Sequence, residues 1–235
     1  MTPYGQAILE YHRTGIDAPF FLKRDDGFVA NLSMAASFDD SHFPELEQRA
    51  LDLCRGKVLD IGAGAGRHAL ALQRKGLEVY AIDIVPEAVF VMKERGVLDV
   101  HPYDVMTLEN RTFDTLLILL NEIGLVGTPA ELDRLLSHAG HLVNPGGCLL
   151  CDSIDVLKAT DLVQVRYREK NERKGRYPGQ QFYSASYGNQ TGSLFPRLHL
   201  DFAMLQAHAA RNQWNAELIF SDENGRYLAR LIRKD

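Results

Sequence analysis

Between residues 45 and 153 the apolar positions switch between helical spacing and near-continuous runs, which predicts helices alternating with buried strands. Residues 45–54 place Leu46, Ala50, Leu53 and Cys54 on one helical face, and Gly56 follows as a stop. Residues 57–61 read as a short buried strand running into a glycine turn. A helix over 67–75 closed by Gly76 leads to a second strand at 78–83. Pro86 suits a first helical turn, Ala88, Val89 and Met92 supply its apolar stripe, and Gly96 ends it. A weak strand at 98–101 precedes the strongest one, 113–120, whose almost unbroken apolar character fits a parallel strand covered on both faces. Thr128 and Glu131 have the spacing of a capping box for a helix ending near His141. Residues 144–147 (Asn-Pro-Gly-Gly) predict a tight turn into a fifth strand at 148–153.

This alternation implies right-handed crossovers and a doubly wound α/β fold. The two ends of the chain differ from it. Residues 1–44 carry a short helical pattern at 6–12 and then a polar, aromatic-spotted stretch. Residues 164–200 hold a basic run (Arg166, Arg168, Lys170, Arg173, Lys174, Arg176) and two aromatic strand-like segments, 181–187 and 194–200, around a glycine-rich connection. A helix at 202–212 precedes strand patterns at 216–221 and 226–232 about Asn224-Gly225, an antiparallel hairpin signal. The expected whole is one domain over 1–235, divided into an N-terminal cap segment (1–44), a core (45–163), an insertion (164–200) and a C-terminal helix and hairpin (201–235). Its sheet is mostly parallel and seven-stranded with an antiparallel last pair. The cap segment and the insertion form a lid, whose aromatics Phe20, Phe21, Phe43, Phe182, Tyr183, Tyr187 and Phe195 would shape a pocket.

Composition narrows the function. The 235 residues are 46% hydrophobic and 24% charged, ordinary for a globular protein. The longest strictly apolar run, 116–120, is far short of the roughly 20 residues that cross a bilayer, and the first residues lack a signal-peptide pattern. Three cysteines suggest no disulfide framework, so a reducing cytoplasm is expected. A net charge of −5 argues against a general nucleic-acid binder.

The chemistry concentrates after the first core strand, in Asp60-Ile61-Gly62-Ala63-Gly64-Ala65-Gly66-Arg67. A dinucleotide fingerprint counted from Gly62 fails at Arg67, whereas counting from Gly64 formally matches, so spacing alone leaves that ligand open. Charge separates the two. Asp60 stands where a pyrophosphate would lie, and like charges about 4 Å apart at an effective dielectric near 20 repel by roughly 4 kcal/mol. A ligand with an ammonium group would gain an ion pair there instead.

These residues resemble the first motif of the class I S-adenosylmethionine-dependent methyltransferases, an acidic residue followed by Gly-x-Gly-x-Gly, which Asp60, Gly62, Gly64 and Gly66 fill. The resemblance implies that Asp83, ending the second strand, holds the ribose hydroxyls. It implies that Asp104 lies near the adenine amino group, with Ile84 and Val105 bordering the ring. It also places the residues after the fourth strand, Asn121-Glu122-Ile123-Gly124, toward the transferable methyl group. Asn121 would orient an acceptor and contact the cofactor, and Glu122 would act as a base. Only the Asn of the Asp/Asn-Pro-Pro-aromatic motif of base-amine methylases is present, which argues against an adenine- or cytosine-amine methylase.

Local alternatives stand beside several of these readings. Asp83 could cap the helix led by Pro86, and Asp104 a loop. Cys148 and Cys151, three apart on a strand, would point to opposite faces, and His138 and His141 suit a helix end, so no metal site is expected. The basic run reads as a solvated face. Other candidate bases are Asp152, Tyr11, His12 and His42. The expected function is transfer of a methyl group from S-adenosylmethionine, leaving S-adenosylhomocysteine, to an oxygen, nitrogen or sulfur of a small molecule. Competing readings are an RNA or protein methyltransferase, a non-catalytic S-adenosylmethionine-binding protein, and a nicotinamide-dependent oxidoreductase.

Overall fold

A computed structural model describes residues 1–234. The elements follow in chain order. The N-terminal segment holds α1 (Pro3–Thr14), β1 (Phe20–Arg24), β2 (Val29–Leu32) and α2 (Met34–Phe38). The core begins with α3 (Glu45–Leu53), β3 (Lys57–Ile61), α4 (Arg67–Arg74), β4 (Glu78–Ile82), α5 (Pro86–Glu94) and β5 (Asp99–His101). It continues through β6 (Phe113–Ile118), α6 (Pro129–Leu142) and β7 (Val143–Ile154). Then come α7 (Leu162–Arg173), β8 (Gln180–Tyr187), β9 (Gln190–Thr191), β10 (Phe195–Leu198), α8 (Phe202–Arg211), β11 (Trp214–Ser221) and β12 (Arg226–Arg233). The main sheet has seven strands in the order β11-β12-β7-β6-β3-β4-β5. The doubly wound, mostly parallel sheet expected from the sequence is therefore present.

The chain divides into two compact units, 1–109 with 183–194, and 110–182 with 195–234. In the first, β3, β4 and β5 pair in parallel, with Asp60 opposite Ala81 and Ile61 opposite Ile82. Val58, Leu59, Tyr80, Ala81 and Ile82 are buried, as a strand covered on both faces requires. Helix α1 is longer than its apolar pattern suggested. The Thr2 hydroxyl caps it by accepting from the Gly5 N–H, Pro3 occupies its first turn, and left-handed Gly15 stops it. Its Ile8 packs with Ala65 of the glycine loop and with Ala88 and Val91 of α5.

The stretch read as polar and aromatic is a hairpin: β1 pairs antiparallel with β2 on one side and with β8 on the other, Phe20 facing Tyr187. Both strands have exposed positions, so their alternation is blurred by polar residues. Phe20 and Tyr187 are buried with Ala7 and Met34 in a small core under this sheet, so they serve packing rather than lining a pocket. Strand β9, two residues long, makes the immediate return against β8, and β10, from the expected 194–200 segment, is the neighbour of β8 in the sheet order β10-β8-β1-β2.

In the second unit β6 pairs in parallel with β7, β7 antiparallel with β12, and β12 antiparallel with β11. The final pair is thus the expected hairpin. Residues 144–147, expected as a turn, belong to β7 instead. Val143 pairs with Phe113 and Cys148 with Thr115, so these four residues are absorbed as an irregularity inside one ladder. Gly147 is needed there, because a Cβ would come 2.8 Å from the Asp114 carbonyl. Strand β6 ends two residues earlier than its apolar run, since Leu120 and Asn121 adopt left-handed backbone angles (φ 62° and 58°).

The basic run lies in and just beyond α7, which the Asp161 side chain caps. Several of its cations have partners within the unit. Arg168 donates to the Val156 and Leu157 carbonyls, Arg173 pairs with Glu169 at 3.5 Å, and Arg176 lies over the Phe182 ring.

Candidate cofactor and acceptor residues

The first unit brings the predicted loop residues together. Gly62 and Ala63 N–H groups donate to the Ile82 carbonyl, tying the loop to the end of β4. Gly64 donates to Asp83 Oδ2 at 2.9 Å, and Val85 donates to Asp83 Oδ1 at 2.8 Å. Asp83 therefore fastens the loop and caps the approach to α5, the local role the sequence offered for it. Gly64 and Gly66 have φ of 55° and 79°, a region that favours glycine. A Cβ on Gly64 would also come 2.8 Å from the Tyr4 hydroxyl of α1.

Asp60 lies behind this loop, 2% exposed. One of its oxygens receives the Ala69 N–H in the first turn of α4, while Oδ2 is buried with no hydrogen-bond partner. A buried carboxylate oxygen without a donor costs free energy unless a ligand completes it. Burial pushes the Asp60 carboxyl up to about 6; the Asp83 charge adds to the rise, and His68 and the Ala69 N–H oppose it. Asp83 is also raised by burial, against its backbone hydrogen bonds. Such a site wants a cation, and an ammonium group with its own N–H donors fits both the charge and the missing bond.

A stability test follows from Asp60. A carboxyl whose folded value is raised favours the folded state below its ordinary value of 3.8, and this advantage is lost as pH climbs through 6. For the ligand-free protein the expected loss is roughly 3 kcal/mol over that interval. Asp60→Asn removes the dependence, so urea denaturation should show the variant gaining on the wild type by about that amount between pH 4 and pH 7. A constant difference between the two would contradict it.

The adenine residues are less enclosed. Ile84 is 69% exposed, an apolar side chain held at the surface directly after Asp83. Asp104 accepts from the Met106 N–H and caps the 3₁₀ turn Val105–Thr107. The local capping role is thus present at Asp104.

The second unit gathers a polar cluster around Asn121. Its backbone N–H donates to Asp152 Oδ1 at 2.8 Å, and its side chain sits between Ser153 and His199. The donors fix the protons. Leu200 N–H donates to Ser153 Oγ, and Ser153 donates to Asn121 Oδ1. Asn121 Nδ2 then faces His199 Nδ1 at 3.1 Å and donates to it, which leaves His199 neutral with its proton on Nε2. Arg197 donates to the Leu120 and Asn121 carbonyls and lies 3.4 Å from Glu122 Oε1. Glu122 thus faces a guanidinium, whereas the Asn121 side chain is held between Ser153 and His199.

Sequence reasoning missed His199 and Arg197, and an isolated histidine after a short strand offered no signal. Gly179 sets the position of His199: it accepts from the His199 N–H, and a Cβ there would overlap the His199 carbonyl. Gly179→Ala should lower the melting temperature by roughly 5–10 °C, corresponding to about 2–3 kcal/mol of overpacking. Thermal unfolding followed by circular dichroism reads this directly.

The remaining candidates serve other contacts. Tyr11 and His12 pack against Phe38, and His42 is exposed next to Ser41 and Asp39. Cys54, Cys148 and Cys151 are buried and outside any disulfide. Among the described residues no cluster of His, Cys, Asp and Glu suits a metal ion, and no helix is long and apolar enough to cross a membrane.

The chain is similar to several known proteins. A family model described as a methyltransferase domain matches residues 58–147. An S-adenosylmethionine-dependent methyltransferase from Bacteroides fragilis, solved with S-adenosylhomocysteine, is 33% identical, with a TM-score of 0.86 over 99% of this chain and 95% of that one. The chain belongs to the S-adenosylmethionine-dependent methyltransferases. The cofactor of this methyltransferase is accordingly S-adenosylmethionine, and the dinucleotide register of its glycines is set aside. The ubiquinone biosynthesis O-methyltransferase of Xylella fastidiosa is 28% identical over 154 residues, 57% of this chain. The methyltransferase spans 61% of the length of that curated relative in the match. The CcbJ methyltransferase of Streptomyces caelestis is 16% identical with a TM-score of 0.63 over 99% of this chain and 98% of its own, a likeness of fold.

Proposed function

We propose that this methyltransferase acts on a small-molecule acceptor at an oxygen, nitrogen or sulfur atom. The observation that carries the cofactor half is Asp60 Oδ2, a buried anionic oxygen without a donor beside a glycine loop. In this reading Asp60 receives the α-ammonium group, and Gly62, Gly64 and Gly66 let the backbone approach the ligand. Asp83 uses its remaining lone pairs on the ribose hydroxyls, while Ile84, Asp104 and Val105 border the adenine. When bound, S-adenosylmethionine supplies an electrophilic methyl group on a sulfonium whose thioether leaves without needing an acid.

What remains for the chain is to orient the acceptor, and we assign this to Asn121 with His199. The Nε2–H tautomer makes His199 a donor, suited to an acceptor with a lone pair or negative charge. Positioning of this kind can supply much of the rate of an in-line displacement. Glu122 keeps Arg197 in place rather than taking a proton. The O-methyltransferase likeness supports an oxygen acceptor on a small molecule as the first class to try. The partnered cations Arg168, Arg173 and Arg176 of the basic run weigh against an RNA acceptor. The three buried cysteines, none in a disulfide, agree with work in a reducing cytoplasm.

A two-stage experiment tests the reading. Thermal shift with S-adenosylmethionine, S-adenosylhomocysteine and NAD should show stabilisation by the first two alone, about 2.7 kcal/mol at a hundredfold excess over Kd. Release of S-adenosylhomocysteine is then followed across catechols, amines, thiols and bulk RNA. Turnover only on RNA, falling steeply with salt, would replace the small-molecule reading. Tight binding without turnover on any acceptor would point to a sensor.

A further inference from the structure

Four ionisable side chains of the first unit form a buried row behind the glycine loop, and the proposed function uses only Asp60 among them. Arg67 and His68 open α4, and Glu47 reaches them from α3. Glu47 Oε2 lies 2.6 Å from His68 Nε2 and 3.2 Å from Arg67 Nη1. Arg67 also donates to the His42 carbonyl, and its guanidinium lies 4.7 Å over the Phe43 ring, which packs in turn against His68. Arg67, Glu47, His68 and Asp60 are each more than nine-tenths buried. With His68 protonated the row alternates in sign: plus, minus, plus, minus.

A cluster that merely fastened α3 to α4 would do so as well or better with apolar side chains, because burying four charges is costly. The row has another consequence. Asp60, buried beside Asp83, tends to take up a proton, and a protonated carboxyl has no charge to offer an ammonium group. The positive charge on His68 opposes that tendency. Asp60 accepts from the Ala69 N–H, one residue beyond His68, and Glu47 lies between His68 and Arg67 at 2.6 and 3.2 Å.

We propose that Glu47 and His68 are positioning residues for the amino-acid end of the cofactor, holding Asp60 as the carboxylate that receives the α-ammonium group. The inference rests on the assignment of Asp60 in the proposed function. It separates two parts of one ligand: the adenosine end depends on Asp83 and its neighbours, and the amino-acid end on the charged row.

The test compares S-adenosylhomocysteine with 5′-methylthioadenosine, which keeps the adenosine and the thioether but lacks the amino-acid end. Isothermal titration of the full chain and its Glu47→Gln and His68→Gln variants reads both affinities. Titrated at pH 5, below the Asp60 value of about 6, each variant should bind S-adenosylhomocysteine about tenfold more weakly, equivalent to one unit in the Asp60 value. Binding of 5′-methylthioadenosine should stay within about twofold, which also reports that the adenosine site is folded. His68→Gln keeps a donor toward Glu47 without the charge, so it answers the question if Glu47→Gln does not fold. Equal weakening of both ligands, or of neither, overturns the proposal and marks the row as structural. A wild-type chain that binds 5′-methylthioadenosine but gains nothing from the amino-acid end overturns the Asp60 assignment instead.

Discussion

Asp83→Ala is expected to weaken S-adenosylhomocysteine binding by about a thousandfold or more. Two losses combine. The carboxylate would no longer accept from the Gly64 and Val85 N–H groups, 2.9 and 2.8 Å away, so the loop and the approach to α5 lose their common fastening. Hydrogen bonds to a charged group contribute about 1.5–3 kcal/mol each, and two such bonds to ribose hydroxyls would disappear as well. Asp83→Asn separates the effects. Its carbonyl oxygen can serve one backbone donor, so the fold should be less perturbed than in alanine while ligand affinity still falls. Calorimetric titration with parallel thermal melts checks this. An alanine variant that retained near-wild-type affinity would show Asp83 to be a cap only.

The second large effect falls on turnover rather than on cofactor affinity. Asn121→Ala should lower kcat/KM, on whichever acceptor the panel identifies, by two to three orders of magnitude, about 3–4 kcal/mol of transition-state stabilisation. Cofactor affinity should stay within about threefold. Alanine at a left-handed position costs about 1 kcal/mol, because its Cβ crowds the following carbonyl where asparagine is better tolerated. It also strands Ser153 Oγ and His199 Nδ1, both of which Asn121 satisfies. With its amide replaced, His199 is free to choose the other tautomer, and the donor on Nε2 is no longer assured. Asn121→Asp sharpens the test. A carboxylate facing Nδ1 draws the proton there, so the variant should remain folded yet stay slow. Wild-type kcat/KM in either variant would reduce Asn121 to a structural residue.

Left-handed angles at both Leu120 and Asn121 belong to the same argument. A leucine in that conformation is strained, and the strain is tolerated because Arg197 binds both carbonyls while Asp152 accepts the Asn121 N–H. The cluster around Asn121 is over-determined in this way, and a residue held so firmly is suited to orienting a substrate.

Much of the fold and of the cofactor site was legible in residues close together along the chain. The alternation over 45–153, the glycines after Asp60 and the acidic end of β4 are local signals. Strand burial, turn geometry and helix starts depend on a few neighbouring side chains, so their spacing determined the α/β class and pointed to the ligand. Even there the irregular course of β7 through 144–147 escaped, since ladder pairing with Phe113 and Thr115 outweighed turn propensity. Contacts between distant parts of the chain were decided by tertiary structure alone. Asn121 meets His199 across 78 positions, and Glu47 meets His68 across 21. The pairing of β1 with β8 joins the N-terminal segment to the insertion. No periodicity records such meetings, because they depend on how separate elements pack and not on what each element prefers. The sequence by itself determined which cofactor chemistry the chain carries, whereas packing decided which side chains tune Asp60 and which hold the proton on His199.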